Sequence, residues 1–103
     1  MNMLDKAKAM KDRTKQVAIR IVTVVRSLPS SREGNVIGNQ SLSSGTAVAA
    51  NYRAVCRARS KAEFVSKMSI VVEEADETVF WLEMLADTGG RAARQTGGSA
   101  KGG

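Results

Sequence analysis

Apolar side chains return at alternating steps of four and three along residues 60–85, where Phe64, Met68, Val71, Ala75, Leu82 and Leu85 form one row with Thr78 in its polar slot. Val65, Val72, Val79 and Ala86 run beside them. Two adjacent apolar rows make a stripe wide enough to pack against more than one neighbouring helix. Ser60 followed by Glu63 has capping-box spacing: the hydroxyl accepts the Glu63 backbone N–H while the carboxylate reaches back to Ser60. At the far end stand Thr88, Gly89 and Gly90, and glycine readily takes the left-handed conformation that ends a helix. The pattern predicts a capped helix of ~39 Å at 1.5 Å per residue.

The same period runs through residues 3–28, with Met3, Ala7, Met10, Thr14, Val17, Ile21, Val24 and Leu28 on one row, widened by Leu4, Ala18 and Val25. The β-branched run IRIVTVV would pass locally for a strand, but the longer helical period overrides it. Pro29 ends this element, since it lacks a backbone donor and restrains Leu28 away from the helical region. Ser30 and Glu33 repeat the capping-box spacing and predict a second helix to about residue 58, rich in small residues and anchored by Ile37, Leu42, Val48, Tyr52 and Val55. Each interior glycine costs about 1 kcal/mol against alanine, so a break near Gly45 is the alternative to a continuous, closely packed helix. Beyond Gly90 the text GRAARQTGGSAKGG has no bulky apolar residue and predicts disorder. The expected organisation is one all-α domain over residues 1–88, an antiparallel up-down bundle of three long helices (about 3–28, 31–58 and 60–88), followed by a Gly-rich disordered tail over 89–103.

Composition narrows the partners. The 103 residues carry a net charge of +6, unevenly spread. Residues 1–32 hold eight Lys or Arg against Asp5 and Asp12, and residues 33–61 hold four against Glu33. Residues 62–90 reverse the sign, with Lys67 against seven carboxylates. A basic first helix can attract nucleic acid or complement an acidic helix in the same assembly, and the second reading leads. With no apolar run near the ~20 residues of a membrane span and no signal-peptide core, a cytoplasmic protein without membrane contact is expected. The single Cys56 has no intrachain partner and is expected to be a small, buried or half-buried residue.

Residues 36–64, VIGNQSLSSGTAVAANYRAVCRARSKAEF, and 71–85, VVEEADETVFWLEML, resemble the four helix bundle protein family first met as proteins encoded in intervening sequences of bacterial large-subunit rRNA genes. Ser44-Gly45-Thr46, Ala50-Asn51-Tyr52-Arg53, Cys56-Arg57-Ala58-Arg59-Ser60 and Glu73-Glu74-Ala75-Asp76-Glu77 carry the resemblance most specifically, and DRTKQVAIRIV of the first helix fits more loosely. The resemblance implies an antiparallel bundle that forms homo-oligomers, ring-shaped pentamers among them. It also implies a relation to the accessory protein of diversity-generating retroelements, which binds a reverse transcriptase and nucleic acid. The family pattern continues into a fourth amphipathic helix, where this chain reads GRAARQTGGSAKGG. That departure points to a three-helix variant or to a reading frame lost near Gly89, and it leaves an apolar groove for a neighbouring chain to fill.

Chemistry is sparse. Without histidine there is no Ser-His or Cys-His nucleophile pair and no His-containing metal site, and Ser-x-x-Lys, Walker and G-x-G-x-x-G motifs are also missing. Glu73, Glu74, Asp76 and Glu77 crowd one helical turn but point in different directions, which suits a solvated face better than a metal. No enzyme, cofactor or metal is expected. The leading expectation is an oligomeric structural or adaptor protein. Its candidate interface is the line Ile70, Glu74, Glu77, Trp81 and Met84, off the core stripe and able to pair with the basic first helix of the next subunit. The competing expectation is backbone-driven binding of RNA or DNA, or of a protein that processes them, through Lys11, Arg13, Lys15, Arg20, Arg53, Arg57, Arg59 and Lys61. A decayed family member without function is the third.

Overall fold

A computed structural model of the protein describes residues 2–90, and all regular structure among them is helical. The expected disorder of the tail lies largely outside the described residues. Three long helices follow one another: α1 (Met3–Arg26), α2 (Arg32–Cys56) and α3 (Lys61–Met84), the last running on into a π-helical segment over Leu85–Gly90.

Each helix starts on a side-chain cap. Asn2 accepts the Asp5 N–H at 2.8 Å, Ser31 accepts the Gly34 N–H at 3.0 Å, and Ser60 accepts the Glu63 N–H at 3.0 Å. The cap of α2 is thus Ser31 and not Ser30, one residue later than the Ser-x-x-Glu spacing suggests. Glu63 reaches back as a capping-box acid does, but to the N–H of Arg59 instead of Ser60. At its C-terminus α1 closes on Ser27, whose N–H meets the Thr23 and Val24 carbonyls, two residues before Pro29 takes over. The end of α3 departs from expectation: the helix widens into the π segment through the glycines, with the Thr88 hydroxyl donating to the Met84 carbonyl at 2.6 Å.

α2 is the central helix. It packs against both α1 and α3, whereas the backbones of α1 and α3 nowhere come within 8 Å of each other among the described residues. α2 runs unbroken through its small residues, and the glycines explain the closeness of its contact with α1. A Cβ on Gly45 would stand 2.5 Å from the Ile21 Cδ1, and one on Gly38 would stand 3.1 Å from a Val25 methyl and 3.7 Å from Leu28. These pairs also fix the direction: Gly45 lies level with Ile21 and Gly38 with Val25 and Leu28, so α2 runs antiparallel to α1. The short turn between Cys56 and Lys61 reverses the chain again, leaving α1 and α3 parallel.

Burial follows this arrangement and corrects the expected core. Ala18 and Ile21 of α1, Ile37 and Val55 of α2, Val71 of α3 and Leu85 of the π-helical segment are buried. Thr78 is buried in its predicted slot. Phe64, Val65, Val72 and Val79, expected within a covered stripe, are about half exposed or more, and so are Met3, Val17 and Val24 on the α1 row. The physical reason is that each outer helix has one neighbour where a two-row stripe is made for two. Cys56 is likewise exposed, against the expected burial, at the last residue of α2.

Candidate functional site

The buried row Val71 and Thr78 of α3, continued by Leu85 of the π-helical segment, recurs every seven residues and faces α2. Met68, Ala75 and Leu82 flank it and are half-covered; Val65, Val72 and Val79 come next around the helix and are open, with Val72 at 52% exposure. Asp76 and Glu83 lie beyond the valines and are exposed. On α1 the row facing α2 passes through Thr14, Ala18 and Ile21, and its flank of Met10, Val17 and Val24 is open, Val17 at 49%. Arg13 and Arg20 stand outside that flank. Right-handed helices with α2 antiparallel to both outer ones turn the Met10–Val24 flank and the Met68–Val79 flank toward the same side of the molecule. The result is an apolar groove with α2 as floor, a basic-edged wall on α1 and an acidic-edged wall on α3.

Nothing in the groove asks for chemistry. Its buried polar groups are satisfied within their own helices: the Ser41 hydroxyl donates to the Ile37 carbonyl at 2.9 Å, Ser44 to Gln40 at 2.9 Å and Thr78 to Glu74 at 2.7 Å. No buried side-chain N or O lacks a partner among the described residues. There too, no three His, Cys, Asp or Glu side chains gather so as to hold a metal ion. The phenol of Tyr52 is pushed above its ordinary range by burial first, and then by the charge and hydrogen bond of Cys56 one turn away.

The structure spreads the eight candidate nucleic-acid residues over separate surfaces. Lys15 and Arg53 come together, edging a shallow apolar depression floored by Ala18, Ala49 and Ala50 on the side of α1 away from α3. Arg13 and Arg20 border a different surface with Gln16 and Val17. Lys11 is half-buried, while Arg57, Arg59 and Lys61 are exposed around the α2–α3 turn. The line proposed from the sequence as an interface sits on the flank of α3 opposite the groove. Ile70 and Glu77 are exposed there, and Glu74, Trp81 and Met84 are half-covered. Trp81 donates its Nε1–H to Glu77 at 3.5 Å and meets Phe80 edge-on at 4.8 Å.

A family model described as 23S rRNA-intervening sequence protein matches residues 6–96 of this chain. The chain belongs to that family. No curated protein matches it. Among solved structures it is similar to a protein of unknown function from the S23 ribosomal protein family of Bacteroides thetaiotaomicron VPI-5482, at 38% identity and a TM-score of 0.73, covering 81% of this chain and 74% of that one. The helical bundle implied by the resemblance is therefore the fold of this 23S rRNA-intervening sequence family member. No helix among its described residues is long and apolar enough to cross a membrane. Sequence reasoning expected an open groove where the family's fourth helix is missing but did not place its walls, because it read the rows Met10-Val17-Val24 and Val65-Val72-Val79 as core. The signal was present in their heptad spacing, which marks a face for a partner helix as readily as a face for the same chain's core.

Proposed function

We propose that this protein is a non-enzymatic helical module of the cytoplasm whose activity is assembly, a structural or adaptor element that works by packing with copies of itself. The observation that carries this reading is the groove between α1 and α3, whose apolar walls are half exposed in a single chain. Contiguous apolar surface of this kind is a feature of interaction sites and a liability in a monomer. The self-satisfied serines and threonine of its lining support an interface over a reaction centre. The line Ile70, Glu74, Glu77, Trp81 and Met84 offers a second contact surface on the opposite flank of α3, which would let an assembly extend to a ring such as a pentamer. Light scattering of the purified chain across a dilution series tests the reading. A species larger than one 11.0 kDa chain is expected; a single-chain mass at every concentration removes it.

The pairing of Lys15 with Arg53 across the α1–α2 depression favours a second reading, backbone-driven binding of RNA or DNA. Affinity for duplexes should then fall steeply with salt and weaken alike for all sequences when Arg53, Arg57 and Arg59 are changed to Ala. No binding at ~50 mM salt overturns it.

A further inference from the structure

We infer that the depression between α1 and α2, on the face turned away from the groove, is a docking seat for an acidic amphipathic helix of another protein. This goes beyond self-assembly, since it gives the module a foreign partner on a surface the groove does not use. The depression holds about 380 Å³ and is an open trough, not a cleft that would bury most of a small ligand. Ala18, Ala49 and Ala50 make its floor, and Ile19 and Val22 line the α1 side. Ile19 is 46% exposed, so a large aliphatic side chain stands nearly half uncovered there. Lys15 and Arg53 mark one end. Gly45 is level with Ile21 and α2 runs antiparallel to α1, so Arg53 falls about level with residue 13, close to Lys15 along the helix axes. From that end the apolar floor extends for about two turns, to Val22. Neither cation is paired with a carboxylate among the described residues.

The two ends set the chemistry of the occupant. A valley between two packed helices accepts the ridge of a third. Apolar side chains one turn apart on that helix would seat on the alanines against Ile19, and carboxylates in the preceding turn would meet Lys15 and Arg53. Acids are favoured in the first turn of a helix by its dipole, so the occupant presents its N-terminal turn to the cations. The same features disfavour nucleic acid here. The trough has no aromatic ring to stack on a base, and the Thr46 hydroxyl is already spent on the Leu42 carbonyl at 2.7 Å. Two cations release few counterions, and a phosphate backbone laid along the floor would leave Ile19 facing charged oxygens. The acidic helix of this chain is also a poorer occupant, because Asp76 and Glu83 border the valine flank that already forms the groove wall.

Fluorescence anisotropy of the full chain with a labelled, lactam-bridged helical peptide tests this seat. The peptide carries two Glu in its first turn and two Leu, one turn apart, in the turns that follow. Saturable binding below about 1 mM is expected. Changing both Glu to Lys, or both Leu to Ser, should weaken it by about tenfold or more. Lys15→Glu and Arg53→Glu should weaken the Glu peptide alike and strengthen the Lys peptide, a rescue that misfolding cannot produce. Ile19→Asp should abolish binding of both peptides while circular dichroism shows helical content retained. No saturation by about 1 mM, or equal affinity for the Glu and Lys peptides, overturns the proposal. A short RNA duplex that displaces the peptide and loses no affinity on Ile19→Asp assigns the surface to nucleic acid instead. If Arg53→Glu or Ile19→Asp lowers the solution mass of the chain without any peptide, the seat belongs to a second copy and the proposal falls. A wild type that is monomeric yet binds the peptide removes the assembly reading and leaves this one standing.

Discussion

Gly45 is where α1 and α2 come closest, and substituting it with alanine sets two calculable effects against each other. An interior helical glycine replaced by alanine gains about 1 kcal/mol from reduced backbone freedom in the unfolded chain and better helix propensity. Against this, the new Cβ would lie 2.5 Å from the Ile21 Cδ1, more than an ångström inside ordinary carbon contact, while the other Ile21 carbons at 3.6 Å are unaffected. Only that terminal methyl must move. Ile21 is 3% exposed, so moving it means leaving its rotamer or pushing a packed neighbour, at a cost of about 0.5–1.5 kcal/mol. Gly45→Ala should therefore forfeit most of its helix-propensity gain and leave the protein within about 0.5 kcal/mol of the wild type. In an Ile21→Val background, which lacks the Cδ1 atom, the same change should stabilise by about 1 kcal/mol. Urea unfolding of the four proteins at one chain concentration, followed by far-ultraviolet circular dichroism, measures the coupling as a double-mutant cycle. If Gly45→Ala stabilises equally in both backgrounds, within about 0.5 kcal/mol, the close approach of the two helices is not as described.

Ser60→Ala removes the cap that holds the Glu63 N–H and should lower stability by about 1 kcal/mol, seen as a drop in thermal midpoint, with Ser60→Asp restoring most of it. Tyr52 should titrate above the ordinary tyrosine range in the folded chain, as phenolate absorbance will report; Cys56→Ala should bring it part of the way back, because burial is the larger cause. Since its folded pKa is raised, Tyr52 contributes stability that is present below the unfolded value near 10 and is lost as pH rises through the folded one. Trp81→Glu should shift the assembly to smaller species with helical content retained; helices that melt along with the assembly would place Trp81 in the α2–α3 contact instead.

The three helices were legible because their signals are local. Period, the Ser60 cap and the Pro29 stop each act within a turn or two of chain, and α2 was legible despite its glycines because its apolar anchors keep the helical spacing. Burial was less legible. A row such as Val65-Val72-Val79 states only that an apolar face exists, while its cover is decided by how many neighbours the fold supplies, which no local pattern encodes. Cys56 misled for a related reason: a residue type that is usually buried says little about which way its helix is turned. The charge split between the first and third helices was readable from the start, but the placement of Arg20 and Asp76 on the rims of one groove depended on the antiparallel reversals between them.

Because α1 and α3 each dock on α2 while their own backbones stay more than 8 Å apart, the close packing among the described residues connects helices adjacent in sequence. Such a chain has short loops to close and should fold quickly, with few long-range contacts to wait for. It should also behave as two hinged pairs sharing a central leaf. Either outer helix can peel from α2 without disturbing the other, so amide exchange in α1 and α3 should follow separate local openings while α2 remains protected longest. A helix seated between them would join the two leaves into a single cooperative unit.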